Sequence, residues 1–236
     1  MVQDEYRQLY KRINRNWNDS VSLYKELVQK SINKNSVIVD AGCGFSDMFQ
    51  KEYKQAKKVI GIDISEEFIK NNKHLDEKIV SSLSSIPQIK DNSIDLIVSS
   101  WVFEHLEYPE KVFSEFQRIL KQGGQIIFLA PNVCNYVVFL NRLIPGWVRS
   151  KVVGRMSENL VTDPMKVYYR ANSLRSIKKL AQKNSFSIEK LILNGDPTYL
   201  AINRRFFYLG IGIEKLLSLP LLLKTRVHII GVLRKT

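Results

Sequence analysis

The sequence predicts a doubly wound α/β fold built on one largely parallel sheet. Three observations predict it. Short Ile- and Val-rich runs recur at 36–41, 58–63, 78–81, 94–100 and 125–130. Helix-like segments lie between them near 46–55, 65–75 and 109–121. A glycine-bearing turn follows directly on the first run. Short continuous apolar runs suit strands covered on both faces, and strand–helix alternation requires right-handed crossovers.

Taken in order, residues 4–31 read as two helices, the first on Tyr6, Leu9, Tyr10, Ile13 and Trp17 at helical spacing. Asn18-Asp19-Ser20 offers a cap for the second, whose apolar face is Val21, Leu23, Tyr24, Leu27 and Val28. The helix at 109–121 starts with Pro109, carries Val112, Phe113, Phe116, Ile119 and Leu120 on one face, and is expected to stop at Gly123-Gly124. After Asn132 the rhythm breaks. Residues 133–171 have no clear period and read as a lid inserted over a substrate site. Asn172 is the expected cap of a helix bearing Leu174, Ile177, Leu180 and Ala181, followed by strands at 186–193 and 227–233. The organisation is thus an N-terminal helical cap (1–35), a core (36–132), a lid (133–171) and a C-terminal part of the sheet (172–236) with an insertion at 196–224.

That insertion is apolar over 206–223 but holds Glu214 and Lys215 at its middle and Pro220 near its end. A membrane span needs about 20 predominantly apolar residues, and a central charge costs about 2.5–3.5 kcal/mol. An amphipathic element lying in the membrane interface, flanked by Arg204, Arg205, Lys224 and Arg226, fits better. Packing of the same face on the domain or on a second subunit is the alternative.

Composition is that of an ordinary globular protein, with 44% hydrophobic and 25% charged residues. The two cysteines, Cys43 and Cys134, make neither a disulfide framework nor a metal-ligand spacing. The polar N-terminus has no signal-peptide pattern, so a cytoplasmic location is expected, with peripheral attachment to the inner face of the membrane as an extension. Residues 133–236 carry 18 of the 36 basic residues against 5 of the 23 acidic ones, so the whole net charge of +13 lies there. Such asymmetry suits an anionic partner.

The chemistry is carried by Val37-Ile-Val-Asp-Ala-Gly-Cys-Gly44. Gly42 and Gly44 let the backbone turn and approach a ligand closely. Asp63, ending the next strand, can accept hydrogen bonds from both hydroxyls of a ribose. A dinucleotide loop wants a third glycine where this chain has Asp47, whose charge repels a pyrophosphate. Asp40 and Asp47 favour a cationic cofactor instead.

Together, Asp40-Ala-Gly-Cys-Gly44, Gly61-Ile-Asp63-Ile-Ser65, Ile86-Pro87 with Asp91-Asn92-Ser93-Ile94-Asp95, and Glu104-His105-Leu106 resemble the ordered motifs of class I S-adenosylmethionine-dependent methyltransferases, in the branch with quinone-biosynthesis enzymes. The resemblance covers roughly 36–132. It implies a Rossmann-like, doubly wound seven-stranded sheet with an antiparallel last strand and helical insertions around strand six. It also implies S-adenosylmethionine as cofactor, with Asp40, Gly42 and Gly44 at the methionine part, Asp63 and Ile64 at the ribose, Ser82 and Leu83 at the adenine, and Ser99 near the methionine end. Where the family carries Asp, this chain has Ser82, which makes the adenine contact neutral and weaker by about 1 kcal/mol.

Related quinone enzymes place a metal-binding Glu-x-x-Glu-His here. This chain has Trp101 at the first position, so no metal is expected. His105 is instead a candidate general base toward a substrate hydroxyl, its alternative being a structural histidine beside the next helix. In this fold the insertions around strand six shape the acceptor pocket, making Tyr168, Tyr169 and Arg170 the substrate-side candidates. The reading is O-methylation of a small-molecule, glycan or lipid-linked acceptor, with an anionic membrane surface as a further partner and the oligomeric state left open. Nucleic acid is disfavoured: the basic residues are interleaved with Ile, Leu and Phe, and no RNA-binding module is evident. An RNA methyltransferase, or a cofactor-binding protein without activity, is the alternative.

Overall fold

The computed structural model describes residues 2–143 and 166–236. Helices α1 (Val2–Ile13) and α2 (Ser20–Ser31) precede β1 (Val37–Ala41), α3 (Gln50–Tyr53), β2 (Lys58–Asp63), α4 (Glu66–Asn71), β3 (Glu77–Val80) and β4 (Ile94–Ser100). Then come α5 (Pro109–Ile119), β5 (Leu120–Pro131), α6 (Tyr136–Leu143), α7 (Leu174–Lys183), β6 (Phe186–Asn194), α8 (Arg204–Leu217) and β7 (His228–Lys235). Among the described residues the strands form one seven-stranded sheet in the order β3-β2-β1-β4-β5-β7-β6. Strand β7 runs antiparallel to both β5 and β6, and the remaining pairs are parallel. This is the expected sheet with its antiparallel last strand.

Two apolar layers sandwich it. On one face Val112, Phe113, Phe116 and Ile119 of α5 join Ile177, Leu180 and Ala181 of α7. On the other, Tyr24 and Val28 of α2 pack with Phe49 and Tyr53. The order reverses between β1 and β4, and the carboxyl ends of strands at such a switch point open a crevice for a ligand.

Local details depart from the sequence reading where side chains compete for the same backbone groups. Asp19 caps α2 through Ser22 N, as expected. The cap of α7 is Ser173 rather than Asn172: its hydroxyl accepts Ser176 N in a capping box, while Asn172 is buried and donates to the Pro131 carbonyl. Gly123-Gly124 does not end α5. The helix stops at Ile119, and the two glycines lie within the longer β5, where Gly123 takes φ +78°. The helix expected over 46–55 shortens to α3, because the start of that segment forms the rim of the cavity described below.

The lid read over 133–171 lies in large part outside the described residues; Tyr136–Leu143 is helical. The 196–224 insertion forms a short 3-10 turn, Pro197–Leu200, and then α8. One face of α8 buries Phe207 and Ile211 against Tyr10 and Trp17 of the N-terminal segment, with Tyr6 stacked on Phe207 at 4.7 Å. The self-packing alternative therefore describes half of this helix. Among the described residues, no helix is long and apolar enough to cross a membrane.

Candidate active site

A cavity of about 1040 Å³ opens at the carboxyl ends of β1, β2 and β4. Small-molecule sites run to roughly 300–1,000 Å³, so it has room for a cofactor and an acceptor together. Its floor is the turn after β1. Gly42 (φ +72°) and Gly44 (φ +48°) both occupy the left-handed region. They are glycine for different reasons. A Cβ on Gly42 would sit 2.3 Å from Val102 Cγ2, whereas one on Gly44 would meet nothing within 4 Å and would project into open space.

Asp63 is buried where β2 ends, and each carboxylate oxygen is already oriented. Oδ2 accepts Gly44 N–H at 2.8 Å and Oδ1 accepts Ser65 N–H at 2.9 Å. A carboxylate has about four acceptor positions, so two remain for a ligand's hydroxyls. Ser65 Oγ in turn caps α4 by accepting Phe68 N. Phe68 meets Phe45 edge-on at 5.4 Å, and both rings line the cavity with Ile64, Ser82 and Leu83. The Ser82 hydroxyl lies 2.9 Å from that of Ser84.

Of the expected cofactor residues, Gly42, Gly44, Asp63, Ile64, Ser82 and Leu83 line the cavity; Asp40 and Ser99 do not. Asp40 lies beneath the turn, its Oδ2 accepting the Tyr53 hydroxyl at 2.7 Å. Burial, reinforced by the charge of Asp63, pushes its carboxyl up to about 6 despite that bond. Strand alternation explains Ser99: it points inward and donates to the Ala41 carbonyl at 3.2 Å, while Ser100 faces the cavity.

On the acceptor side, His105 lines the cavity and its Nδ1 lies 3.0 Å from the Lys166 carbonyl. A carbonyl only accepts, so Nδ1 carries a proton, and in the neutral tautomer Nε2 is the nitrogen with the lone pair. Tyr168 also lines the cavity; Tyr169 and Arg170 do not. Tyr169 (φ +53°) and Tyr168 donate their backbone N–H groups to the Glu104 carbonyl at 3.1 and 2.7 Å. Arg170 donates to the Glu107 carbonyl at 2.6 Å and lies 5.4 Å over the Tyr168 ring. It braces that ring against the 103–107 segment.

Glu104 and His105 point apart. The Glu104 carboxyl is buried, pushed up to about 7 by desolvation, with Oε2 unpartnered among the described residues. Among those residues no group of three or more His, Cys, Asp or Glu could hold a metal ion.

The sequence reading missed Phe45, Phe68, Ser100, Trp101, Val102 and Tyr108, all on the cavity. Trp101 is the least expected. It takes φ +59°, donates its N–H to the Leu129 carbonyl at 2.9 Å, and meets His228 edge-on at 5.0 Å. A bulky side chain in that conformation costs about 1–3 kcal/mol and persists only where its surroundings enforce it. The His228 Nδ1 lies 2.8 Å from the Ser20 hydroxyl and its Nε2 lies 2.7 Å from the Tyr199 hydroxyl; burial depresses the imidazole to about 4. These partners hold the ring that props Trp101.

Residues 39–128 match the family described as Methyltransferase domain. Over 109 residues the chain is 35% identical to uncharacterized protein MJ0638 of Methanocaldococcus jannaschii, covering 45% of this chain and 46% of that one. Over 128 residues it is 31% identical to thiol S-methyltransferase TMT1B of Mus musculus, covering 50% and 51%. The chain thus spans about half the length of these curated relatives. In fold it is similar to geranyl diphosphate C-methyltransferase from Streptomyces coelicolor A3(2), solved with Mg2+, geranyl diphosphate and S-adenosyl-L-homocysteine. The TM-score is 0.59 at 12% identity, over 91% of this chain and 78% of that one. The glycine turn, the Asp63 carboxylate and the sheet order agree with that match, so residues 39–128 are similar to a methyltransferase domain.

Proposed function

We propose that this protein is an S-adenosylmethionine-dependent methyltransferase acting on a hydroxyl of a small-molecule, glycan or lipid-linked acceptor, peripherally at an anionic membrane surface. The observation that carries the cofactor reading is Asp63, oriented by Gly44 and Ser65 with acceptor positions to spare, beside a glycine whose missing Cβ leaves open space. Asp47, Asp63 and Glu107 line the cavity against one lysine, Lys166, which suits a cationic ligand. When bound, the cofactor supplies a methyl group already activated on a sulfonium centre.

The protein's own contributions are then few. The turn at 42–44 and Asp63 hold the cofactor's ends, with Ile64, Ser82 and Leu83 beside its base. Trp101, Tyr108 and Tyr168 give aromatic walls to an acceptor and exclude water from it. His105 Nε2 takes the proton of the attacking hydroxyl, since the Lys166 carbonyl fixes the tautomer that leaves it free. Arg170 acts by bracing Tyr168 rather than by touching the acceptor.

Methyl transfer from labelled cofactor to fractionated lipid, glycan and small-molecule pools tests this reading. His105→Ala is expected to lower kcat by about 10²–10⁴-fold while the cofactor still raises the melting temperature. Full turnover in that variant removes the base. No thermal response to S-adenosylmethionine in the parent protein removes the whole reading.

A further inference from the structure

The outer face of α8 and the turn after it are apolar where a solvated helix would be polar. Spacing of three and four residues puts Arg205, Leu209, Gly212, Leu216 and Leu219 in one row, opposite the buried stripe of Phe207, Ile211 and Leu217. Phe206, Leu209, Leu216 and Leu219 are all exposed, and Leu221, just past the break at Pro220, is 94% exposed. The helix is therefore apolar on both sides, although only one side is covered.

Charge says what covers the other. Residues 197–227 hold Arg204, Arg205, Lys215, Lys224 and Arg226 against one acid, Glu214. Glu214 is on the buried side, where desolvation pushes its carboxyl up to about 7, and it cannot balance five cations in any protonation state. Arg204, Arg205, Lys215 and Lys224 form no ion pair among the described residues. A second copy docked face to face would oppose these cations to their own like, which is repulsive.

Topology joins this face to the cavity. Strand β6 ends at Asn194 and β7 begins at His228, at the sheet edge where β1, β2 and β4 also end. Asn132 donates to the Lys224 and Arg226 carbonyls at 2.9 and 2.7 Å, and Asn135 donates to that of Thr225 at 2.6 Å. The turn is thereby tied to the end of β5.

We propose that Phe206, Leu209, Leu216, Leu219 and Leu221, with their flanking arginines and lysines, insert into an anionic bilayer leaflet and turn the carboxyl edge of the sheet toward it. The acceptor is then an amphiphile drawn from that leaflet. This deepens the membrane element of the function proposed above and rests on it. Apolar side chains buried at the headgroup boundary, with cations at the anionic surface, are the two components of such binding.

The test is co-sedimentation of the full chain with phosphatidylcholine vesicles, with or without about one third phosphatidylglycerol, at low and high salt. The thermal response to S-adenosylmethionine is read on the same samples. Binding is expected only to the anionic vesicles and only at low salt. Arg204→Ala with Arg205→Ala is expected to weaken it about 25-fold. Leu209→Glu with Leu216→Glu and Leu221→Glu is expected to abolish it, leaving the cofactor response unchanged because all three side chains point outward. Equal binding to neutral vesicles, or undiminished binding by the leucine variant, overturns the proposal. So does a dimer in solution that the leucine variant dissolves, since a second copy then covers the face. Vesicle binding without a cofactor response leaves the docking face standing and removes the methyltransferase reading; a cofactor response without vesicle binding does the reverse.

Discussion

Asp63 Oδ2 accepts the Gly44 backbone N–H at 2.8 Å, tying the end of β2 to the turn that follows β1. One carboxylate thus shapes the cavity floor and faces what enters it. Asp63→Ala removes both of its backbone bonds. It is expected to lower stability by about 1–2 kcal/mol and to eliminate most of the melting-temperature rise produced by S-adenosylmethionine. Thermal unfolding with and without cofactor measures both; an undiminished rise would contradict the ribose-holding role.

The two glycines of that turn should separate in their effects. Gly42→Ala forces a Cβ to 2.3 Å from Val102 and adds left-handed strain, so a loss above about 2 kcal/mol is expected. Gly44→Ala meets no atom and costs only the strain, about 1 kcal/mol. Its effect is expected in the cofactor titration, where the new methyl would project into the cavity that the proposed cofactor occupies. Denaturant unfolding beside cofactor titration distinguishes the pair, and equal destabilisation would count against the packing argument.

Ser82 offers a gain-of-affinity experiment. Its hydroxyl lines the cavity and interacts with Ser84 rather than with the core, so a carboxylate is tolerated there. Ser82→Asp restores a charge-assisted acceptor for an amino group and is expected to tighten S-adenosylmethionine by about fivefold. Calorimetric titration reads this directly. Weaker binding would show that the adenine lies elsewhere.

Glu104 makes stability depend on pH. Burial raises its carboxyl from 4.5 to about 7 in the folded protein. The native state therefore holds a proton that the unfolded chain releases. The resulting stabilisation is fully present below about pH 4.5 and is lost as pH rises through about 7. Glu104→Gln keeps the shape without the titration. At pH 8 it is expected to exceed the parent in stability by on the order of 2–3 kcal/mol, with no difference at pH 4. Asp40, Glu214 and His228 also titrate abnormally but are common to both proteins, so the difference isolates Glu104. Parallel stability curves would mean that Glu104 is solvated.

The run Val37–Gly44, Asp63 and the strand–helix rhythm were legible from residue order because their physics is local. A parallel strand announces itself by its apolar run, and a left-handed turn by its glycines. Reading side-chain direction was harder. Asp40 and Ser99 lie beside residues that line the cavity, yet point into the core toward Tyr53 and Ala41. Tyr169 and Arg170 adjoin Tyr168 but serve as backbone anchor and brace.

What the sequence by itself determined is the sheet, the turn and the carboxylate, together with the basic excess after residue 132. Only the tertiary structure decided which neighbours share a wall. Trp101 reaches the cavity because His228, more than a hundred residues later, holds its ring there, and α8 has one covered face because α1 folds back to meet it. Those contacts depend on burial between distant segments, which adjacency in the chain does not encode.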